Sequence, residues 1–125
     1  MNITYHGQTP RLSEATVANG FVFLSGMVPE TDSSDITEQT QDVLKQIDKW
    51  LEKCGSDKRH ILEATIYLPD LADYAAMNAV WDQWVDPQRA PARACVAAGL
   101  ANPAWKIEIK VSAVQLQNTA DKNTR

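Results

Sequence analysis

Residues 106–113 alternate without a break. Ile107, Ile109, Val111 and Ala113 fall on one side of an extended chain, and Lys106, Glu108, Lys110 and Ser112 fall on the other. That period belongs to a strand with one buried face, so the rest of the chain has to cover one side of a sheet. Just upstream, Ala90–Ala97 also reads as a strand, and Gly99 with Asn102-Pro103 marks the connection between the two. We therefore expect the two strands to pair as a hairpin with a long loop. Such pairing would bring Arg93, Cys95 and Glu108 close together on or beside one sheet face.

Three further segments carry local signals of comparable strength. Ala15–Ala18 and Phe21–Ser25 flank Asn19-Gly20, a pair that tolerates positive φ at both positions of a tight hairpin turn. Asp35 and Glu38 form a capping box ahead of a helix whose apolar stripe runs Ile36, Val43, Leu44, Ile47, Leu51 and Cys54. Gly55 can take the left-handed conformation that ends it. Residues 61–68 form a strand closed by Pro69. Asp70 then caps a second helix, with Asp73 in its first turn and a stripe through Leu71, Tyr74, Asn78, Trp81 and Val85 that ends before Pro87. Asn78 is the polar exception on that stripe. If buried it needs hydrogen-bond partners, and a strut to a loop backbone is preferred to a direct role in chemistry.

With an extra strand around residues 3–7, the order is hairpin, helix, strand, helix, hairpin. One sheet with two helices on one face is the economical α+β packing, and it leaves the other face with no helix to cover it. We expect a single domain over residues 1–116 and a polar, frayed tail over 117–125.

Composition excludes several function classes. Twelve basic residues against sixteen acidic ones leave a net charge of -4, without the positive field that displaces counterions from nucleic-acid phosphates. No apolar run approaches the roughly 18 residues of a membrane span. No secretory signal is visible at the N-terminus, and two cysteines do not make a disulfide framework, so a reducing cytoplasm is the simplest compartment. His6 and His60 lack metal-ligand spacing, and there is no phosphate-binding glycine loop and no Ser-His-Asp set. Cys95 has no histidine nearby in sequence to activate it, so a buried inert thiol is the better reading. What remains is chemistry without a metal or cofactor, built from arginine, carboxylate, backbone amides and water. A guanidinium can grip a carboxylate through two parallel hydrogen bonds, and a nearby carboxylate can orient water. The same residues also read as a cross-strand ion pair beside a buried thiol, and spacing alone favours that plainer reading.

Pro91-Ala-Arg-Ala-Cys-Val96 with Lys106-Ile-Glu-Ile-Lys110 resembles the signature of the Rid family, the RidA/YjgF/RutC-type reactive-intermediate deaminases. Leu24-Ser-Gly-Met-Val-Pro29, Ile61–Leu68 and Asp73-Tyr-Ala-Ala-Met-Asn78 resemble further segments of that family in the expected order, so the likeness runs from about Arg11 to Val114. It implies a chorismate-mutase-like fold with one mixed sheet, and a homotrimer that packs the bare sheet faces together. It also implies hydrolysis of 2-imino acids or enamines to 2-oxo acids and ammonia. On that likeness Arg93 binds the substrate carboxylate and Glu108 the attacking water. Ser25 and Gly26 line the pocket, Cys95 contributes its backbone, and Asn78 stands beside the site. Where many RidA proteins carry a Gly-Pro-Tyr-type segment before the first hairpin, this chain has Arg11-Leu-Ser-Glu-Ala15, in which respect it is more similar to the YoaB-like branch; the loop Asp86–Pro91 also looks shorter. Two alternatives use the same fold: a non-catalytic binder of small oxo acids, and an RNA-cleaving or translation-inhibiting protein, against which the acidic charge counts.

Overall fold

Asn19 (φ 54°) and Gly20 (φ 82°) both sit in the left-handed region, and they turn β2 (Ala15–Ala18) tightly into β3 (Phe21–Leu24). Positive φ at both central positions matches the right-handed twist of the two strands, and Ala18 pairs directly with Phe21. A computed structural model describes residues 2–117, so all but the first residue of the expected tail lies outside the described residues. The other elements are β1 (Ile3–His6), α1 (Ile36–Lys53), β4 (Ile61–Leu68), α2 (Tyr74–Trp84), β5 (Ala92–Ala97) and β6 (Glu108–Val114). The six strands form one sheet in the order β1-β2-β3-β6-β4-β5, antiparallel throughout except for the parallel pair β4–β5. This is the expected α+β arrangement of one mixed sheet and two helices.

The first helix follows its sequence pattern closely. Val43, Leu44, Ile47, Leu51 and Cys54 are buried against Val22, Leu24, Ile66, Ile109 and Val111 of the sheet. Gly55 ends the helix at φ +76°. The Asp35 carboxylate accepts from the Glu38 amide, but Glu38 does not reach back to the Asp35 amide as a closed capping box would. Instead Ser33 stands between them: its hydroxyl donates to Glu38 at 2.5 Å and accepts from the Asp35 amide at 3.1 Å.

Two expectations are corrected. First, β5 and β6 do not form a hairpin. A strand that enters a sheet after a covering helix lies parallel to the strand it left, and α2 carries the chain from the end of β4 to the start of β5. β5 therefore takes the outer edge of β4, and the loop after Ala97 returns the chain to the slot between β3 and β4. There β6 pairs along both of its edges, which satisfies more of its backbone than a hairpin with β5 would.

Second, the stripe of α2 is rotated. Asp70 caps only a short 3-10 turn, Leu71–Asp73, through the Ala72 amide, and the α-helix begins at Tyr74. The residues buried in the core are Met77, Val80 and Trp81, while Leu71 and Tyr74 remain 55% and 42% exposed.

As expected, no helix among the described residues covers the second sheet face. Register places Ile3, Ala18, Phe21 and Val114 in one cross-strand row and Tyr5, Thr16, Phe23 and Ser112 in the next. Ile3, Tyr5, Phe21 and Phe23 are all exposed there. No helix among the described residues is long and apolar enough to cross a membrane.

Candidate active site

The residues expected to carry chemistry separate into two groups. Register assigns their faces: Arg93 lies level with Ala64, and Cys95 with Ile66 and Ile109, in rows whose central members are buried under the helices. Glu108 lies level with Tyr67, one residue out of phase, and so points to the bare face. β4 also separates the two strands, a gap of about 10 Å at ordinary strand spacing. The expected gathering of Arg93, Cys95 and Glu108 on one sheet face therefore does not occur within one chain.

The Glu108 group is built by backbone. Phe23 pairs with Ser112, whereas Met27 pairs with Ile109, so β3 carries one more residue than β6 between these two points. That is a bulge around Ser25 and Gly26, a device that breaks a ladder and redirects side chains. The Ser25 amide bonds the Glu14 carbonyl at 2.9 Å, and its hydroxyl donates to the Glu14 carboxylate at 2.8 Å. The Leu24 carbonyl accepts from the Lys110 ammonium at 2.7 Å. Gly26 is glycine for reasons of space rather than of φ. A Cβ there would meet the Glu108 carboxyl carbon at 2.8 Å, so the carboxylate fills the room that a side chain would occupy.

The Arg93 group is built by side chains. On the edge strand, Arg93 donates from Nη2 to the Tyr74 hydroxyl at 3.2 Å. Its Cζ lies 5.3 Å from the Trp81 ring centre and 5.9 Å from that of Tyr74, within cation–π range of both. Leu71, Tyr74, Arg93 and Cys95 line a cleft of about 420 Å3. Burial pushes the Cys95 thiol above its ordinary range, partly offset by the nearby Arg93 charge and by a backbone hydrogen bond from Val96. At neutral pH the group is a thiol, which suits the inert role expected of it. One turn along α2 from Tyr74, the Asn78 Oδ1 is buried with no hydrogen-bond partner among the described residues. The expected strut to a loop backbone is thus not made by that oxygen.

The family model described as endoribonuclease L-PSP matches residues 7–115. The chain belongs to the Rid family. It stands in the YoaB-like branch, as its sequence suggested: it is 50% identical over 103 residues to the RutC family protein YoaB of Escherichia coli, covering 82% of this chain and 90% of that protein. A solved YjgF-family structure from Neisseria meningitidis is 60% identical with a TM-score of 0.92, covering 94% of this chain and 98% of that one. A 3-aminoacrylate deaminase RutC of Acinetobacter baylyi is 36% identical over 101 residues, 76% of this chain and 79% of that protein.

Sequence reading of this Rid protein missed Glu14, Tyr74 and Trp81. The sequence pattern puts Trp81 and Tyr74 on an apolar stripe, where their part in holding Arg93 is invisible. The available signal was the spacing of Tyr74, Asn78 and Trp81, which puts all three on one helix face. Glu14 precedes the first hairpin strand by one residue and carried no signal of its own.

Proposed function

We propose that this Rid protein hydrolyses 2-imino acids and their enamine tautomers, such as 2-iminopropanoate and 2-aminoacrylate, to 2-oxo acids and ammonia. We place the reaction where two subunits of a homotrimer meet. The observation that carries this reading is the separation of Arg93 from Glu108: each chain holds a carboxylate-binding half and a water-orienting half on opposite sheet faces. A second copy can complete either half. The exposed apolar rows around Phe21 and Phe23 supply a surface for that association, since bare apolar patches of this kind mark protein contacts.

In the assembled site the substrate carboxylate pairs with the guanidinium edge of Arg93 that faces away from Tyr74. A water held by Glu108 of the neighbouring copy adds to the imine carbon. One of its protons passes through the carboxylate to the nitrogen, giving a carbinolamine; the remaining hydroxyl proton follows the same route as the C–N bond breaks, so ammonia leaves and a C=O group remains. The Ser25 hydroxyl and the backbone of Gly26 and Cys95 line the reacting atoms, and Asn78 stands beside them on α2. Positioning supplies most of the acceleration, because water attacks such imines readily without help. The deaminase name of the Acinetobacter relative supports the reaction class.

The test couples an amino-acid oxidase to the protein and follows loss of the imine. The expected result is faster loss with wild type than with buffer, and light scattering at about three times the 13.9 kDa chain mass. Tight binding of 2-oxo acids with no acceleration of any imine would replace the enzyme with a sensor. Cleavage of RNA by a purified trimer inert to imines would replace it with a nuclease, the activity that the matching family model's description carries.

A further inference from the structure

Arg93 projects from the last strand of the sheet, and among the described residues no further strand flanks the outer side of β5. A long side chain in that position normally samples several rotamers, and a two-pronged grip on a carboxylate requires one of them. Here the guanidinium is held on one side only, by the first residue of α2. Tyr74 accepts from Nη2 at 3.2 Å, and the rings of Tyr74 and Trp81 both lie within 6 Å of Cζ. Tyr74 is 42% exposed, so core packing does not account for its presence. Trp81 is 4% exposed and anchors the same helix face in the core, which fixes Tyr74 relative to β5.

We propose that the Tyr74 hydroxyl is a positioning group for Arg93. It takes up one N–H of the guanidinium and so selects the rotamer that presents the opposite edge to the substrate carboxylate. Arginine offers five N–H donors in a fixed fork, so tethering one end leaves a pair of parallel donors free. The inference rests on the imino-acid site proposed above, in which Arg93 binds that carboxylate. Its consequence is specific: the hydroxyl serves carboxylate recognition and has no part in the attack of water. Loss of the hydroxyl should weaken ground-state and transition-state binding alike and leave the chemical step untouched.

Tyr74→Phe keeps the ring and its packing and removes only the acceptor. On the intact oligomer, nitrogen-15 NMR of the arginine guanidinium groups reads the tether without any substrate, the Arg93 signals being identified by their absence in Arg93→Lys. Wild type should show slowed rotation and separate Nη signals for Arg93, and Tyr74→Phe should show one averaged signal. Calorimetry with 2-oxobutanoate should give a Kd about three- to tenfold weaker for Tyr74→Phe, the effect of one modest hydrogen bond. KM for imine should rise in parallel, with kcat within about twofold of wild type. In the Arg93→Lys background, Tyr74→Phe should add almost nothing, because the partner it positions is gone. Averaged Arg93 signals already in wild type, or unchanged signals with unchanged Kd in Tyr74→Phe, would overturn the proposal. A wild-type protein that tethers Arg93 and binds 2-oxobutanoate in a Tyr74-dependent way, yet turns nothing over, would overturn the deaminase reading and uphold this one.

Discussion

Glu108 and Arg93 present the same problem, a charged group that has to be held still at a surface, and the chain answers it in two ways. Glu108 sits on a strand paired along both edges, and its carboxylate rests in the space left by a missing side chain at Gly26. Its placement is set by backbone. Arg93 sits on an edge strand and is steadied by one exposed hydroxyl and two ring faces. Its placement is set by side chains of a neighbouring helix. A side chain added at Gly26 would compete for the same space as the Glu108 carboxylate, so a change there acts on it directly. A group held by exposed side-chain contacts of modest strength should respond in small graded steps. In the site proposed above, precision at the water-orienting half can persist while recognition at the other half is adjusted.

The largest expected effect breaks the two halves apart and rejoins them. Arg93→Lys should lower both oxo-acid binding and turnover by more than tenfold, since it keeps the charge and loses the fork. Glu108→Gln should lower turnover by about 10²-fold with little change in affinity. If each site takes one half from each of two copies, coexpressing the two variants in equal amounts creates some sites free of both changes. Mixed cyclic trimers should then recover about a quarter of wild-type activity. Activity no higher than the mean of the two parents would refute the shared site.

Gly26→Ala comes next. The new Cβ has to displace the Glu108 carboxylate, so turnover should fall about tenfold or more while 2-oxobutanoate binding through Arg93 changes much less. An alanine variant with wild-type kcat would show that Glu108 does not need its present position, and the contrast between the halves would dissolve. Phe23→Glu tests the surface that joins them. A charge in the exposed apolar row should shift light scattering toward single chains, with activity lost in proportion to the trimer lost. A stable trimer with this change would place the interface elsewhere.

Cys95 should give the smallest effect. Cys95→Ser should keep most activity if, as proposed, only its backbone lines the reacting atoms. The thiol's raised pKa means little thiolate near pH 7, so alkylation located by mass spectrometry should be slow there and accelerate as pH rises toward and beyond the ordinary thiol range. Removing the Arg93 charge removes one of the two influences that lower this pKa, the Val96 hydrogen bond being the other. Arg93→Ala should therefore slow alkylation further at any given pH, provided that exposure is unchanged. Faster alkylation would mean that the arginine shields the sulfur more than it activates it.

Sequence alone determined whatever depends on a residue's own backbone or on its near neighbours. Asn19-Gly20 specified a turn because both residues accept positive φ. The spacing of Ile36 through Cys54 specified a helix and its buried side, because residues three and four apart share a face. The alternation from Lys106 to Ala113 specified which β6 side chains are wet, and Glu108 is among them. Tertiary structure alone decided which strands became neighbours. The signals in β5 and β6 are equally compatible with a hairpin, and the crossover through α2 together with the two-sided slot between β3 and β4 chose otherwise. It also decided the turn of α2, since a 3-10 turn at Leu71–Asp73 offsets the helical period by an amount that apolar spacing does not reveal. The division of the candidate site follows from that choice of neighbours. Alternation tells each strand which of its residues share a face, but only the register between strands says whether two such faces are the same. A difference of one residue in that register places Arg93 on the helix-covered face and Glu108 on the bare one.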